Sequence, residues 1–257
     1  MPNTALITGA SSGIGAEFAR YHARHGGDLI ITARRAAELD ALKAEIETAY
    51  DVRVTTVPLD LAAPEGPTLL YNAIKDHEIS ILINNAGFGG HGNFIDRSLE
   101  VDLAMIDLNV KSLVALTHMI AKDMVANGGG RILNVSSTAS YMPGPLQATY
   151  FATKAFVSSF SQALSEELKD HKVTVTALEP GYVETEFAAI ANLEGTNLVK
   201  SGAAPATVAK FGYDAMRRGA LRVINDKMLN FALNCIFPLL PRKWVLAMVR
   251  RMLQKTG

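Results

Sequence analysis

The sequence has a single cysteine, Cys235, in 257 residues, and this scarcity excludes an internal disulfide. A reducing compartment is therefore the simpler expectation for the chain. Neither sign of charge is in excess, since 25 basic residues balance 25 acidic ones, so the composition shows no electrostatic footprint for nucleic acid. No cluster of cysteine and histidine is present either, and the sequence predicts no metal site.

Long apolar runs, repeats and leader-like segments are also missing. No apolar run reaches the roughly 20 residues that a membrane-spanning helix needs. The first ten residues, MPNTALITGA, enter a predicted strand without the basic-then-apolar pattern of a secretion leader. We therefore expect a cytoplasmic protein whose apolar residues, 49% of the chain, suffice for a sizeable core.

A glycine-rich loop, GASSGIG, follows the first predicted strand at residues 4–8 and leads into a helical pattern. Strand, glycine loop and helix are the context of a dinucleotide site. Glycines let the backbone approach a pyrophosphate, and the helix N-terminus favours the negative charge. The residues predicted to contact the cofactor here are Gly9, Ser11, Ser12, Gly13, Ile14 and Gly15. The alternative is a tight turn that merely needs glycine.

Two arginines follow the second predicted strand, which spans residues 28–33. A site for NAD has an acidic residue about 20 positions after the glycines to hold the ribose hydroxyls. Here that position is Ala33, and Arg34 and Arg35 come next. Guanidinium groups suit a 2′-phosphate, so this pair indicates NADP(H) as the cofactor. The alternative is a solvated pair at the start of a helix.

The segment 131–156 holds Tyr150 and Lys154 four residues apart, with Ser137 thirteen residues upstream. On a helix, positions i and i+4 lie about 6 Å apart on one face. A lysine ammonium there would lower the tyrosine pKa from its reference of about 10, which suits proton exchange near neutral pH. Ser137, at the end of a buried strand, could aim its hydroxyl at a substrate oxygen. The alternative is a surface tyrosine and lysine on an ordinary helix.

Strands alternate with helical patterns from residue 4 to about residue 224. This order predicts a parallel sheet with helices on both faces, that is, a doubly wound, Rossmann-type αβα fold. We place an NADP-binding and catalytic domain at residues 1–225, with a substrate loop at about residues 186–212. A helical C-terminal extension is predicted at residues 226–257.

The C-terminal extension differs in composition from the rest of the chain. Its first part, MLNFALNCIFPLLP, is uncharged and apolar, and its second part, RKWVLAMVRRMLQK, is basic and amphipathic. Trp244, Met248 and Met252 recur every four residues, with Arg250 and Arg251 turned away. Three interpretations stay open: a pocket lid or wall or a subunit contact, a helix on a membrane surface, or a solvated appendage.

Five motifs stand in the order found in the short-chain dehydrogenase/reductase family. The motifs are T-G-x-x-x-G-x-G from Thr8, N-N-A-G from Asn84, the asparagine Asn109, S-(x12)-Y-x-x-x-K from Ser137, and P-G-x-V-x-T from Pro180. The sequence resembles this family over about residues 3–190, and most of all its NADP-dependent bacterial members. The resemblance implies hydride transfer between the nicotinamide C4 and a carbonyl or alcohol carbon, without a metal.

The resemblance also implies a role for each motif. Tyr150 would be the general acid/base, and Ser137 would orient the carbonyl. Lys154 would bind ribose and lower the tyrosine pKa, and Asn109 would kink its helix and hold a water in a proton relay. Read without the family, Asn109 could be a buried structural amide, and Asp60 could be an N-cap. The further implied cofactor contacts are Asp60, Leu61, Asn85, Ala86, Gly87, Tyr150, Lys154, Pro180, Gly181, Val183 and Thr185.

Members of the family pair two long helices across subunits. In this sequence the two helices correspond to residues 98–126 and 149–169. A homodimer or homotetramer is therefore implied, with a small carbonyl or alcohol compound as substrate. One alternative is a membrane-surface reductase of acyl or sterol-like lipids, with peripheral membrane contact through the C-terminal extension. The other is an NADP-binding sensor without turnover, which the presence of Tyr150 and Lys154 disfavours.

Overall fold

The computed structural model describes residues 3–255, which contain one sheet of seven parallel strands. The strands are β1 Thr4–Thr8, β2 Asp28–Ala33, β3 Val54–Pro58, β4 Ile81–Asn84, β5 Gly130–Val135, β6 Val173–Leu178 and β7 Arg222–Val223. Their order in the sheet is β3-β2-β1-β4-β5-β6-β7. Most residues of β1, β2, β4, β5 and β6 are buried, because a parallel sheet is covered on both faces. The predicted fold class is confirmed.

Ten α-helices lie within the described residues. They are α1 Gly13–Ala23, α2 Ala36–Ala49, α3 Gly66–Ile74, α4 Leu99–Ile106, α5 Leu113–Ala126, α6 Ala148–Leu168, α7 Phe187–Ile190, α8 Pro205–Arg217, α9 Lys227–Phe231 and α10 Arg242–Leu253. Helices α1, α2 and α8 pack on one face of the sheet, through side chains such as Phe18, Ile46 and Tyr213. Helices α3, α5 and α6 cover the other face. Each fully buried large side chain contributes about 1.5–3 kcal/mol to this core.

The sheet changes its direction of winding between β1 and β4. Strand β1 pairs with β2 on one side and with β4 on the other, so the chain connections diverge from this point. In a doubly wound sheet, the crevice at the carboxyl ends of such strands is where ligands bind. Both the glycine loop after β1 and the N-N-A-G segment of β4 meet at this crevice.

The long helix predicted at residues 98–126 is interrupted. A π-helical segment, Asp107–Ser112, joins α4 to α5. The whole stretch Leu99–Ala126 is long and apolar enough to cross a membrane by length and composition, so the expectation that no such run exists was wrong. Helices that pack in protein cores pass the same test, and α5 buries Leu116, Ile120 and Met124 against the sheet.

The C-terminal extension is helical, as predicted, but it packs through a different stripe. Val245, Val249 and Leu253 of α10 are buried in a third apolar cluster, which also contains Tyr150. Trp244 and Met248, which the four-residue spacing singled out, are exposed. The two stripes lie one residue apart on the helix, so spacing alone could not decide which of them faces inward.

Candidate active site

The glycine loop lies at the carboxyl end of β1 against residues 85–87. Gly9 and Gly13 have φ angles of +68° and +56°, which other residues rarely adopt. A Cβ on Gly9 would lie 2.8 Å from the Ala86 Cα, and one on Gly15 would lie 2.2 Å from the Gly9 carbonyl oxygen. A side chain at either Gly9 or Gly15 would displace the neighbouring backbone, so glycine is required there by space.

Thr8 and Asn85 hold this loop against the segment after β4. The Thr8 Oγ1 accepts hydrogen bonds from the backbone N–H groups of Asn85 and Ala86, both at 3.0 Å. The Asn85 Nδ2 donates to the carbonyl oxygens of Thr8 and Gly9, at 3.0 and 3.1 Å. Asn85 therefore braces the loop through its side chain, and its neighbours Ala86 and Gly87 leave space beside the loop.

Ser137, Tyr150 and Lys154 line one cavity of about 240 Å³. Ser137 follows β5, and the other two residues lie one turn apart on α6, which packs against β6. The Lys154 Nζ lies 5.8 Å from the centre of the Tyr150 ring and donates to the Val135 carbonyl oxygen at 2.9 Å. The structure thus brings together the three residues that the sequence predicted to act together.

The electrostatics of this pair differ from the sequence-based expectation. Burial raises the pKa of Tyr150 to about 12, and the interaction with the Ser137 hydroxyl lowers this pKa by a smaller amount. Burial also lowers the pKa of Lys154 to about 8. The sequence analysis expected the ammonium to lower the tyrosine pKa, whereas in this structure burial of the phenol is the largest effect and the pKa is raised.

Asn109 lies in the π-helical segment and is fully buried. Its Oδ1 accepts from the Phe88 backbone N–H at 3.1 Å, and its Nδ2 donates to the Phe88 carbonyl oxygen at 2.9 Å and to the Thr153 Oγ1 at 3.2 Å. The Thr153 hydroxyl in turn donates to the Tyr150 carbonyl oxygen at 2.7 Å. Asn109 therefore connects the chain after β4 to the turn of α6 that carries the tyrosine.

A second cavity of about 790 Å³ adjoins the first, and both include Gly9, Ser12 and Gly87. Arg34, Arg35, Asp60 and Leu61 all line it, as does Ser11. The Asp60 carboxylate accepts from the Ala62 backbone N–H at 2.9 Å, so it closes a turn rather than capping α3, which starts at Gly66. Among residues 3–255, Arg34 makes no ion pair, whereas Arg35 makes two.

Glu186 lies where the two cavities meet, and the sequence did not single it out. Its carboxylate accepts from the Ser12 hydroxyl at 2.8 Å and from the Arg35 guanidinium at 2.9 and 3.3 Å. The hydrogen bonds from Arg35, and then from Ser12, lower the pKa of Glu186. One carboxylate thus accepts hydrogen bonds both from the glycine loop, through Ser12, and from the arginine pair, through Arg35.

The P-G-x-V-x-T segment forms the wall of the smaller cavity that faces the glycine loop. Its members Pro180, Gly181, Val183 and Thr185 all line that cavity. Thr185 faces the glycine loop closely, since a Cβ on Gly13 would lie 3.0 Å from the Thr185 Cγ2. The predicted site residues of the two loops therefore face each other across the cavity.

The remaining wall of the smaller cavity is mainly apolar. It is lined by Met142, Gln147, Phe151, Tyr182, Phe187, Ile190, Leu193, Leu198 and Met252. The ring of Phe187 lies 5.3 Å from that of Tyr150, and the His91 Nε2 makes a 2.7 Å hydrogen bond with the Leu253 carbonyl oxygen that ties the end of α10 to this wall. The substrate loop predicted at about residues 186–212 contributes Phe187, Ile190, Leu193 and Leu198 to this wall, and Met252 belongs to the extension for which a pocket wall was one interpretation.

Glu179 is a second residue that sequence reasoning missed. It is fully buried and accepts hydrogen bonds from Ser158, from Tyr141 at 2.8 Å and from the Arg222 Nε at 3.2 Å. Arg222 also lies 4.4 Å over the Tyr141 ring. These contacts brace the turn that follows Ser137. No group of three His, Cys, Asp or Glu residues is placed to hold a metal ion within residues 3–255.

Comparison with known proteins places these features in a wider context. A family model described as short chain dehydrogenase matches residues 3–194. Human very-long-chain 3-oxoacyl-CoA reductase is 34% identical over 192 residues, which cover 72% of this chain and 61% of the human one. Mouse 17-beta-hydroxysteroid dehydrogenase type 3 is 35% identical over 201 residues, which cover 75% of this chain and 64% of the mouse one. The match thus spans less than two thirds of either relative.

Among solved structures, a short-chain dehydrogenase from Sphingobium yanoikuyae in complex with NADPH superimposes with a TM-score of 0.86. It is 31% identical in sequence, and the alignment covers 100% of this chain and 99% of that one. The similarity therefore extends through the C-terminal extension, beyond the region that the family model matches.

Proposed function

The chain belongs to the short-chain dehydrogenase/reductase family, and from this premise we propose that it is an oxidoreductase of CH–OH and C=O groups, which uses NADP(H) to reduce ketones with a large apolar substituent. One observation carries the proposal. Ser137, Tyr150 and Lys154 open into a cavity whose remaining wall is mainly apolar. Burial of apolar substrate surface there contributes about 25 cal/mol per Å². An oxoacyl chain and a steroid, named in the two relatives, both have such surface.

The cofactor assignment rests on how the residues around the groove fit the chemistry of NADP(H). The glycine loop offers backbone N–H groups and the start of α1, which suit a pyrophosphate. Arg34 and Arg35 line the larger cavity beside Ser11, where two guanidiniums suit a 2′-phosphate. The Asp60-Leu61 pair and the P-G-x-V-x-T segment would hold the two ends of the cofactor. NADPH, when bound, supplies the hydride.

The chain's own residues would manage the proton and the carbonyl. At neutral pH the raised pKa of Tyr150 keeps its phenol protonated, which is the form that donates to a carbonyl oxygen. Ser137 would donate a second hydrogen bond to the same oxygen. Lys154, with a pKa of about 8, is mostly charged at neutral pH and would hold ribose hydroxyls. Asn109 would fix the turn of α6 that positions the tyrosine. It would also hold a water that relays protons to Lys154.

We further propose that residues 1–225 form the NADP-binding and catalytic domain, that residues 226–257 form an extension to it, and that two or four copies assemble. Leu99 and Leu103 on α4 and Phe156 on α6 are exposed apolar side chains on the two helices that family members pair. Phe156 stacks on Phe160 at 5.7 Å, which presents a flat aromatic surface. Burying these side chains against a second copy would stabilise the assembly.

The test is NADPH oxidation with two matched series of ketones, one small and polar and one carrying acyl chains or steroid rings. The native enzyme should prefer the second series in kcat/KM. Tyr150→Phe keeps the ring but removes the proton donor, so kcat should fall about 10²- to 10⁴-fold with NADPH affinity nearly unchanged. Binding of NADPH without turnover of any ketone or alcohol would overturn the proposal and favour a sensor.

A further inference from the structure

The C-terminal extension concentrates positive charge in a chain that is neutral overall. Residues 227–257 contain six basic residues and no acidic one, which leaves 19 basic and 25 acidic residues in the rest of the chain. Arg242, Lys243, Arg250 and Arg251 of α10 are exposed, and none of them makes an ion pair within residues 3–255. Their charge is therefore available to a partner.

The same extension exposes large apolar side chains. Met228 and Leu239 are each 83% exposed and Trp244 is 69% exposed, and Phe231, Ile236 and Met248 are exposed as well. A contiguous exposed apolar surface rimmed by polar residues marks an interaction site. The charged residues among 227–257 are all basic, so the partner is expected to combine an apolar interior with negative charge.

The geometry of α10 places one of these positive charges beside exposed apolar side chains. Val245, Val249 and Leu253 fasten the helix to the protein, so its orientation is set. Trp244 and Met248 lie on the flank next to that buried stripe. Arg251 is three residues after Met248 and seven after Trp244, so helical spacing puts it on the same flank, and the expectation that Arg251 is turned away from these two residues was wrong. The exposed surface of α10 thus combines a Trp with basic side chains, as in a helix that lies in a membrane interface.

From these observations we propose that residues 227–255 form a docking surface for an anionic lipid bilayer. A second copy of the chain fits this surface poorly, because a twofold contact places a patch against itself and would bring two clusters of positive charge together. An anionic bilayer instead offers negative headgroups above an apolar layer. Met252, on the same helix, lines the smaller cavity, so α10 separates the lipid-facing surface from the substrate pocket.

The test is sedimentation of the native protein with vesicles of phosphatidylcholine alone and of phosphatidylcholine mixed with phosphatidylglycerol. We expect binding to the anionic vesicles only, and weaker binding as salt is added. Arg250→Gln with Arg251→Gln should weaken binding about 25-fold, because each basic residue near an anionic surface contributes about 1 kcal/mol. Trp244→Ser with Met248→Ser should weaken it about tenfold.

Matched control variants remove the same groups elsewhere. Lys75→Gln with Lys122→Gln removes two exposed charges outside the extension, and Leu69→Ser removes an exposed apolar side chain on α3, so both should bind as the native protein does. Absence of binding to either vesicle, or equal losses in the controls, would overturn the proposal. So would a drop in oligomer size for the Trp244 and Met248 variant without a change in vesicle binding. No substrate is present, so this test is independent of the proposed reaction.

Discussion

Replacing Glu186 with glutamine should tighten the binding of NADPH. The Glu186 carboxylate holds the Arg35 guanidinium and the Ser12 hydroxyl, and these are groups that we propose to hold phosphates. The cofactor must therefore displace a competing anion that belongs to the protein. Glutamine has nearly the same size and can still accept a hydrogen bond from Ser12, so the change removes little besides the charge.

The magnitude follows from how exposed the pair is. The side chains of Arg35 and Glu186 are 41% and 52% exposed, with a closest contact of 2.9 Å. An ion pair with this exposure contributes about 0.2–1 kcal/mol. Its loss from the cofactor-free protein should therefore lower the Kd of NADPH about 1.4- to fivefold, since 1.4 kcal/mol corresponds to a factor of ten. The effect should shrink as ionic strength rises.

The measurement is a fluorescence titration of each protein with NADPH and with NADH. NADH lacks the 2′-phosphate, so its affinity should change less than that of NADPH. Glu184→Gln is the matched control, because Glu184 lies two residues away and accepts from the Gly202 backbone N–H rather than from Arg35. A Kd for NADPH that is unchanged or higher in the Glu186 variant would refute the reasoning.

Three further predictions concern the cofactor, stability and assembly. The native enzyme should prefer NADPH over NADH in kcat/KM by roughly tenfold or more, since a charge-assisted contact contributes about 1.5–3 kcal/mol. Arg34→Asp should erase this preference. Equal kcat/KM values for the two cofactors in the native enzyme would contradict the prediction. Folding lowers the pKa of Lys154 from its ordinary 10.5 to about 8. Between pH 8 and 10.5 the unfolded chain therefore binds more protons than the folded one, so the free energy of unfolding should rise with pH across that window. Urea unfolding of Lys154→Met should not show this rise, and an identical rise would contradict it. Light scattering at micromolar concentration should show a dimer or tetramer, and a monomer would be the contrary result.

Much of the fold was predictable because its strands are buried on both faces. The strands β1 and β2 are mainly buried apolar residues, and their bounds match the prediction. The site was predictable where a motif is local, as for Tyr150 and Lys154 on one helix. Glu186 was missed because it meets Ser12 and Arg35 across more than 150 residues of chain. The pKa of Tyr150 was missed because burial depends on the whole fold.

The π-helical segment at Asp107–Ser112 has a consequence for how this chain can change in length. A π turn holds one residue more than an α turn, so deleting one residue there would leave a regular helix. The two halves of that helix would keep nearly their present orientation about its axis, because the wider turn already absorbs the extra residue. The bulge that brings Asn109 to Phe88 and Thr153 would be lost, and with it the hydrogen bonds that Asn109 makes to both residues. The segment should therefore accept substitutions on its exposed side, whereas a single deletion would give a well-formed helix that no longer supports the tyrosine.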